Sequence, residues 1–437
     1  MLYYSLKGSL VKLKLQLPCN SPLRYHHGMD AKEIAAKIVK TLFAKGYVAY
    51  FAGGWVRDYL MRHPSDDIDI ATDASPEEIV KLFPKTVQVG IAFGVVVVLM
   101  DGYQFEVATF RRDVGYEDGR RPTSFEPSTA EEDAKRRDFT INGMFYDPLE
   151  DRILDYVGGK EDLQKQIIRT IGDPFERFNE DRLRMIRAIR FACRFSFHIE
   201  PETQEAIAEN SDSLFPAVSR ERVWQEFKKM SVYPSFDFAL VEMHRLGLLS
   251  TIFPRLEGTH LDEIKARVSS FAYMPKETPT IAYILQLFPD ITEEEIKDLC
   301  SDLRTSNRDQ KFALFLHAIE SLENPDTHTW SHIYAHPDSQ LCVKILSAKE
   351  ADDEARTQFL YEHAHRRSGL APHIKRIIDQ APVVTSHDLK QEGIRPGKLM
   401  GELLKEAERI AIFHECHKKE EVISKLKETQ LWKRAYE

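Results

Sequence analysis

Asp30 to Ala44 carries a helical period of apolar residues, with Asp30 as its N-cap. The apolar run from Tyr47 to Ala52 reads as a buried strand. It breaks at Gly53 and Gly54, after which Val56, Tyr59 and Leu60 fall on one face of a helix. Ile68 and Ile70 then alternate with Asp67 and Asp69, as in a strand. Ser75-Pro-Glu-Glu opens a short helix with a cap, a first-position proline and acids in its first turn. Val87 to Met100 is valine-rich, and Asp101-Gly102 is a hairpin turn into Tyr103 to Phe110. Asp113 to Asp133 is charged and turn-rich, and predicts a mobile loop long enough to suspect function. Asp155 to Gly159 reads as the turn that closes this first region. From Ile167 onward no strand alternation convinces, and the rest predicts helices, interrupted at Pro216, Pro254, Pro275, Pro289, Ala381-Pro382 and Gly393 to Gly397.

Within that part, Glu180 to Arg194 predicts one helix. At about 100° per residue, Arg184, Arg187, Arg190 and Arg194 share a face, with Glu180 and Asp181 at its N-terminal end. Met185, Ala188, Ile189 and Ala192 take the core side. The predicted class is α+β: a small mixed-sheet N-terminal head followed by an all-helical neck, body and tail. The expected division is an extension over 1–28, a head over 29–160, a neck over 161–215, a body over 216–345 and a tail over 346–437.

Composition narrows the function. A chain of 437 residues holds two to four domains with ample core. A formal charge of −9 argues against unselective nucleic-acid binding through global charge, while leaving room for a local basic channel. No apolar run is long enough to span a membrane. Cys19, Cys193, Cys300, Cys342 and Cys416 are scattered without CxxC spacing, as expected for a reducing cytoplasm and no structural zinc. Residues 1–28 hold Lys7, Lys12, Lys14 and Arg24 but no apolar core or cleavage site. They read as a loose extension or a start-site artefact before Met29 rather than a signal peptide.

The chemistry gathers around Gly53 to Thr72. Paired glycines let backbone approach a bulky anion. Asp67 and Asp69, two apart on a strand, project together and repel unless a cation sits between them, and hard divalent ions take such oxygens. Glu106, on the last strand, is either a third carboxylate of that cluster or a solvated strand residue. A phosphate cradle beside paired carboxylates suits metal-assisted nucleotidyl transfer. Lys135-Arg-Arg137 suggests a polyanion contact. Four arginines on one helix stripe repel by a few tenths of a kcal/mol per pair unless they share an anion, so a ligand is expected there too.

Three blocks occur in order: Gly53-Gly-Trp-Val-Arg-Asp58 with Asp67-Ile-Asp69, Arg136-Arg-Asp-Phe-Thr-Ile-Asn142, and Glu180-Asp-Arg-Leu-Arg184. The first resembles the nucleotidyltransferase superfamily that includes DNA polymerase beta. Together they resemble the class II tRNA nucleotidyltransferases (CCA-adding enzymes) and the related bacterial poly(A) polymerases. The resemblance is strong over Met29 to Glu202 and weaker beyond, where Ile394 to Gly401 looks like a tail element of the CCA-adding type. It implies a catalytic head with two Mg2+ ions held by Asp67 and Asp69. It further implies that Gly54 and Arg57 contact the triphosphate, Arg137 belongs to the nucleotide pocket, Asp181 and Arg184 meet the base, and Arg187 and Arg190 complete the site. Gly53 and Asn142 are further candidates. The implied substrates are ATP, CTP and the tRNA 3′ end, in the cytoplasm, with no membrane and no obligate protein partner. Poly(A) addition, or CC- or A-addition alone, are the alternatives. Trp55, Gly143 and the absence of a glycine before Asp67 depart from the family pattern.

An aspartate only accepts hydrogen bonds and an arginine only donates them. Cytosine and adenine each show an amino donor beside a ring acceptor, so Asp181 with Arg184 suits both bases. Guanine and uracil would oppose or strand groups at ~1–3 kcal/mol each. The plainer reading is an i, i+3 pair that steadies the helix. His387-Asp388 reads as a helix cap. His363-Ala-His365 and His414-Glu-Cys-His417 are expected to be exposed helix residues rather than metal ligands.

Overall fold

The computed structural model describes residues 30–63, 65–90, 94–116 and 122–435. The expected extension over 1–28 lies outside them. The head begins with α1 (Ala31–Phe43), whose Asp30 cap accepts from the Glu33 amide at 2.8 Å. Its Ile34, Ile38 and Leu42 are fully buried, each contributing about 1.5–3 kcal/mol. Next come β1 (Ala49–Ala52), α2 (Gly54–Leu60), β2 (Asp69–Thr72), α3 (Pro76–Leu82), β3 (Thr86–Gly90), β4 (Val95–Met100) and β5 (Tyr103–Thr109). The β4–β5 turn sits at Asp101-Gly102, both at positive φ, as a tight hairpin requires. With β8 (Phe145–Asp147) and β9 (Arg152–Leu154), these strands form one sheet in the order β3-β4-β5-β2-β1-β8-β9. Only β2 and β5 pair in parallel, which makes the sheet mixed. α1 and α3 cover one face.

Two expectations fail in the head. Much of the segment predicted as a mobile loop is an antiparallel ribbon, β6 (Arg111–Tyr116) with β7 (Pro122–Pro127), followed by α4 (Ala130–Lys135). Arg112 pairs across the ribbon with Glu126 at 2.6 Å, a cross-strand contact that a loop reading does not anticipate. Asp67 stands just ahead of β2, although Ile68 is buried and Asp69 exposed as the alternation requires.

The departures from the family pattern are packed features. Trp55 meets Phe51 edge-on at 5.1 Å, stacks on Tyr59 at 4.9 Å, and donates to the Ser65 carbonyl at 2.9 Å, which pins the segment before Asp67. A Cβ on Gly143 would stand 2.7 Å from Val157 and 2.9 Å from Ile171, so larger neighbours fill the space an alanine would need.

Beyond the head lie α5 (Gly159–Lys165), β10 (Ile167–Ile168), α6 (Pro174–Glu180), α7 (Leu183–Phe195), β11 (His198–Ile199), α8 (Pro201–Asn210) and α9 (Arg220–Met230). β10 and β11 form a two-residue parallel pair, too short for any alternation to reveal. From α9 on, every described element is helical. One apolar core runs from Phe139 to Ile374, and a separate one from Val384 to Trp432. Cys193, Cys300, Cys342 and Cys416 are buried free thiols. No helix among the described residues is long and apolar enough to cross a membrane. Asp388 completes a capping box with Thr385, as expected. His363 is buried, contrary to expectation, with its Nδ1 2.9 Å from the Tyr334 hydroxyl.

Candidate active site

The site forms where β1 ends. In the β1–β2 register Ala52 faces Asp69, and in the β2–β5 register Ile70 faces Val107, which sets Glu106 beside Asp69. Although Asp69 is open to the cleft, the desolvation imposed by the protein around it, then Glu106, then Asp67 push its carboxyl up to about 6, against a smaller opposing pull from Arg137. Glu106 is thus part of the carboxylate cluster. Gly53 closes the turn at φ 70°, ψ −140°, which a side chain would rarely adopt. A Cβ there would lie 3.3 Å from Arg137 and 3.4 Å from Asp69. The glycine therefore lets carboxylate and guanidinium approach the same backbone.

Beside this cluster opens a cavity of about 450 Å3. Its lining includes nine residues expected from the sequence: Gly53, Gly54, Arg57, Arg137, Asn142, Asp181, Arg184, Arg187 and Arg190. Arg136, Asp138, Phe191 and Arg194 complete it. Seven arginines and two aspartates are among its lining residues.

The stripe suggested one shared anion, but its four arginines each meet a different carboxylate. Arg184 reaches Glu180 at 2.7 Å, Arg187 holds Asp138, Arg190 donates to Glu226 at 2.5 Å, and Arg194 to Asp58 at 3.0 Å. Arg136 and Arg137 both grip buried Asp133, at 2.7 and 3.0 Å. Of the expected basic triplet, Lys135 is solvated and pairs with Glu131 at 2.8 Å. Burial opposes ionisation of Asp138, yet the Arg187 charge, hydrogen bonds from Asn142 and Arg187, and the Phe139 amide hold it well below the usual carboxylate range. Arg57 is almost fully buried and reaches from α2 to α7. It bonds Asp58 at 2.9 Å and Asn142 at 2.5 Å, and lies over the Phe195 ring at 4.5 Å. Desolvation draws its pKa down, with Asp58 opposing.

Glu180 to Arg194 is not one helix. α6 stops at Glu180, Asp181 is extended at φ −145°, ψ 101°, and its Oδ1 accepts from the Leu183 amide at 3.1 Å as α7 begins. Asp181 and Arg184 are consequently not paired side chain to side chain. Asp181 lies 3.5 Å from Arg222, while Arg184 holds Glu180 and the Arg177 and Arg136 carbonyls. Asp is a poor helix former and a good cap, a signal the arginine periodicity masked.

Models of three families match the chain: the poly A polymerase head domain over residues 49–169, the RNA- and SrmB-binding site of polymerase A over 196–258, and tRNA nucleotidyltransferase domain 2 over 274–426. The CCA-adding enzyme of Bacillus licheniformis is 36% identical over 397 residues, 89% of this chain and 96% of its own length. That of Enterococcus faecalis is 33% identical over 417 residues, 94% of its own length. The Bacillus stearothermophilus CCA-adding enzyme in complex with CTP superposes with a TM-score of 0.72 at 28% identity, over 94% of this chain and all of that one. With such relatives matched over nearly their whole length, the chain belongs to the CCA-adding enzyme family.

Proposed function

We propose that the protein adds C, C and A to the tRNA 3′ end from CTP and ATP, releasing pyrophosphate in the cytoplasm. The observation that carries the reading is the juxtaposition of a repelling carboxylate cluster with a pocket of seven arginines beside the same turn. The oxygen-only donor set and the raised Asp69 carboxyl fit Mg2+, a hard cation that would relieve their repulsion. Asp67 and Asp69, with Glu106 beside them, would hold it. When bound, the metal acidifies the RNA 3′-hydroxyl and neutralises charge on the phosphates. Arg57 and Arg137, fixed by their own carboxylate or carbonyl partners, receive the triphosphate, and Gly53 and Gly54 leave it room. Asp181 offers an acceptor and Arg184 a donor to the base, while Arg187 and Arg190 line the rest of the pocket.

In this reading residues 29–160 form the catalytic head and 161–215 the base-reading neck. Residues 216–345 and 346–437 form a body and tail that take tRNA by shape and backbone. The match to a poly A polymerase head keeps one rival: AMP addition to varied RNA. The deciding experiment incubates tRNA lacking its 3′ end with each nucleoside triphosphate separately and in pairs, then sizes the products. CTP alone should add two residues, and CTP with ATP three. Long A tracts on unstructured RNA would overturn the reading in favour of the polymerase.

A further inference from the structure

A second cluster of ligating side chains lies far along the chain from the head. His328 and His332 are one turn apart on the helix Thr327–Ala335, so both imidazoles leave the same face. Glu408 faces them from the helix Lys398–Phe413. Glu408 Oε2 is 3.3 Å from His332 Nε2 and 3.7 Å from His328 Nε2, and the two rings are 4.7 Å apart. One donor atom from each residue lies within 4.8 Å of the other two.

Around a tetrahedral ion with bonds of about 2.0–2.2 Å, neighbouring ligands stand about 3.3–3.6 Å apart. The imidazole–carboxylate spacings already have that size. None of the three side chains is sealed in, so water can supply a fourth ligand. A neighbouring cavity of about 320 Å3, lined in part by His332 and Glu408, gives it space. Arg376 also lines this cavity and competes for Glu408. Its guanidinium, however, is committed to His373 and to His417 Nδ1 at 3.1 Å.

We propose that His328, His332 and Glu408 form a three-ligand site for a borderline divalent cation of the zinc class. Two imidazole nitrogens with one carboxylate disfavour Mg2+, which prefers oxygen alone. The ion ties the helix Lys398–Phe413, part of the second apolar core, to a helix of the first. It is therefore a clip between two separately packed cores, independent of the chemistry at Asp67 and Asp69.

The test titrates Co2+ into the full-length chain and follows its visible ligand-field absorption. A saturable band at a single added equivalent is expected, abolished by Zn2+ and untouched by excess Mg2+. His328→Ala and Glu408→Gln should weaken binding by more than the ~10-fold that a change in a ligand's outer partners costs. The Asp67→Ala/Asp69→Ala double variant should keep the band. Zn2+ should raise the melting temperature of the wild type and not of Glu408→Gln, an isosteric change that spares the helix. A band that survives His328→Ala, disappears in the Asp67/Asp69 variant, or never saturates would overturn the assignment and leave an ordinary imidazole–carboxylate ion pair.

Discussion

The two halves of the candidate site handle charge in opposite ways. At the end of β2, Asp69, Asp67 and Glu106 crowd together with too little positive charge, and the cost is visible in the raised Asp69 carboxyl. In the adjoining cavity, every arginine of the α7 stripe is matched to a buried or half-buried carboxylate. The carboxylate cluster is electrostatically unfinished and is completed from outside. The arginine pocket is finished from within, so its guanidinium forks are held in place before any phosphate arrives. Unsatisfied charge marks where the ligand supplies a term of the energy; satisfied charge marks where the fold has prepaid the ordering.

Removing a carboxylate should therefore damage catalysis and spare the fold. Asp69→Ala is expected to lower nucleotide addition by at least ~10³-fold, about 4 kcal/mol or more. Its melting temperature should hold or rise slightly, because one source of repulsion is gone. Substantial turnover of this variant with Mg2+ would sink the metal assignment.

The pocket should answer the other way. Glu226 is buried between Arg190 and Lys229, at 2.5 and 3.0 Å. Glu226→Ala leaves a buried guanidinium uncompensated, so unfolding in urea should show a loss of about 3–4 kcal/mol. If stability holds and only the Michaelis constant for the nucleotide rises, the pocket is not internally finished.

How far the sequence reaches follows the same division. Asp67, Asp69 and the Gly53 turn are local: strand alternation and a glycine pair put the groups together, and the register adds only Glu106. The arginine stripe is also local, and its core side, Met185 to Ala192, is buried as the period requires. What periodicity could not reach were the partners at long separation. Asp138 is 49 residues from Arg187, Glu226 is 36 from Arg190 and Asp58 is 136 from Arg194, so the stripe read as unpaired. The β6–β7 ribbon was hidden for another reason: Arg111–Tyr116 and Pro122–Pro127 carry no hydrophobic alternation.

The base-reading pair sharpens the comparison, because it mixes the two modes. Asp181 accepts from the Leu183 amide at 3.1 Å and has a distant cation in Arg222 at 3.5 Å, whereas Arg184 is buried and carries three interactions. Asp181→Ala should relax rejection of UTP and GTP by ~1–3 kcal/mol, tenfold or more, with little change in folding. Arg184→Ala should weaken CTP and ATP incorporation and also lower stability by about 1–3 kcal/mol, since the Arg136 and Arg177 carbonyls and Glu180 lose a donor. The measurement is relative incorporation of all four nucleotides on one tRNA, beside thermal melts. Unchanged preference in the Asp181 variant returns that residue to capping α7.

The smallest effect tests the unfinished charge without any substrate. In the folded chain the Asp69 carboxyl keeps its proton up to about pH 6, whereas its ordinary value is 3.8. Between those limits the folded state binds more protons than the unfolded one, so stability falls as pH rises through this window. The penalty is complete above about pH 6 and absent below about pH 4. A two-unit shift corresponds to about 3 kcal/mol at most, but Asp69 is open to the cleft, and solvent screening brings the measurable cost to about 1 kcal/mol or less. Asp69→Asn removes the titrating group at constant shape. It should therefore melt slightly higher than wild type above pH 6 and equal to it near pH 4, with Mg2+ closing the gap by stabilising the wild type alone. A wild type that gains stability relative to the variant between pH 4 and 6 would reverse the sign, and the carboxylate cluster would then be as satisfied as the arginine pocket.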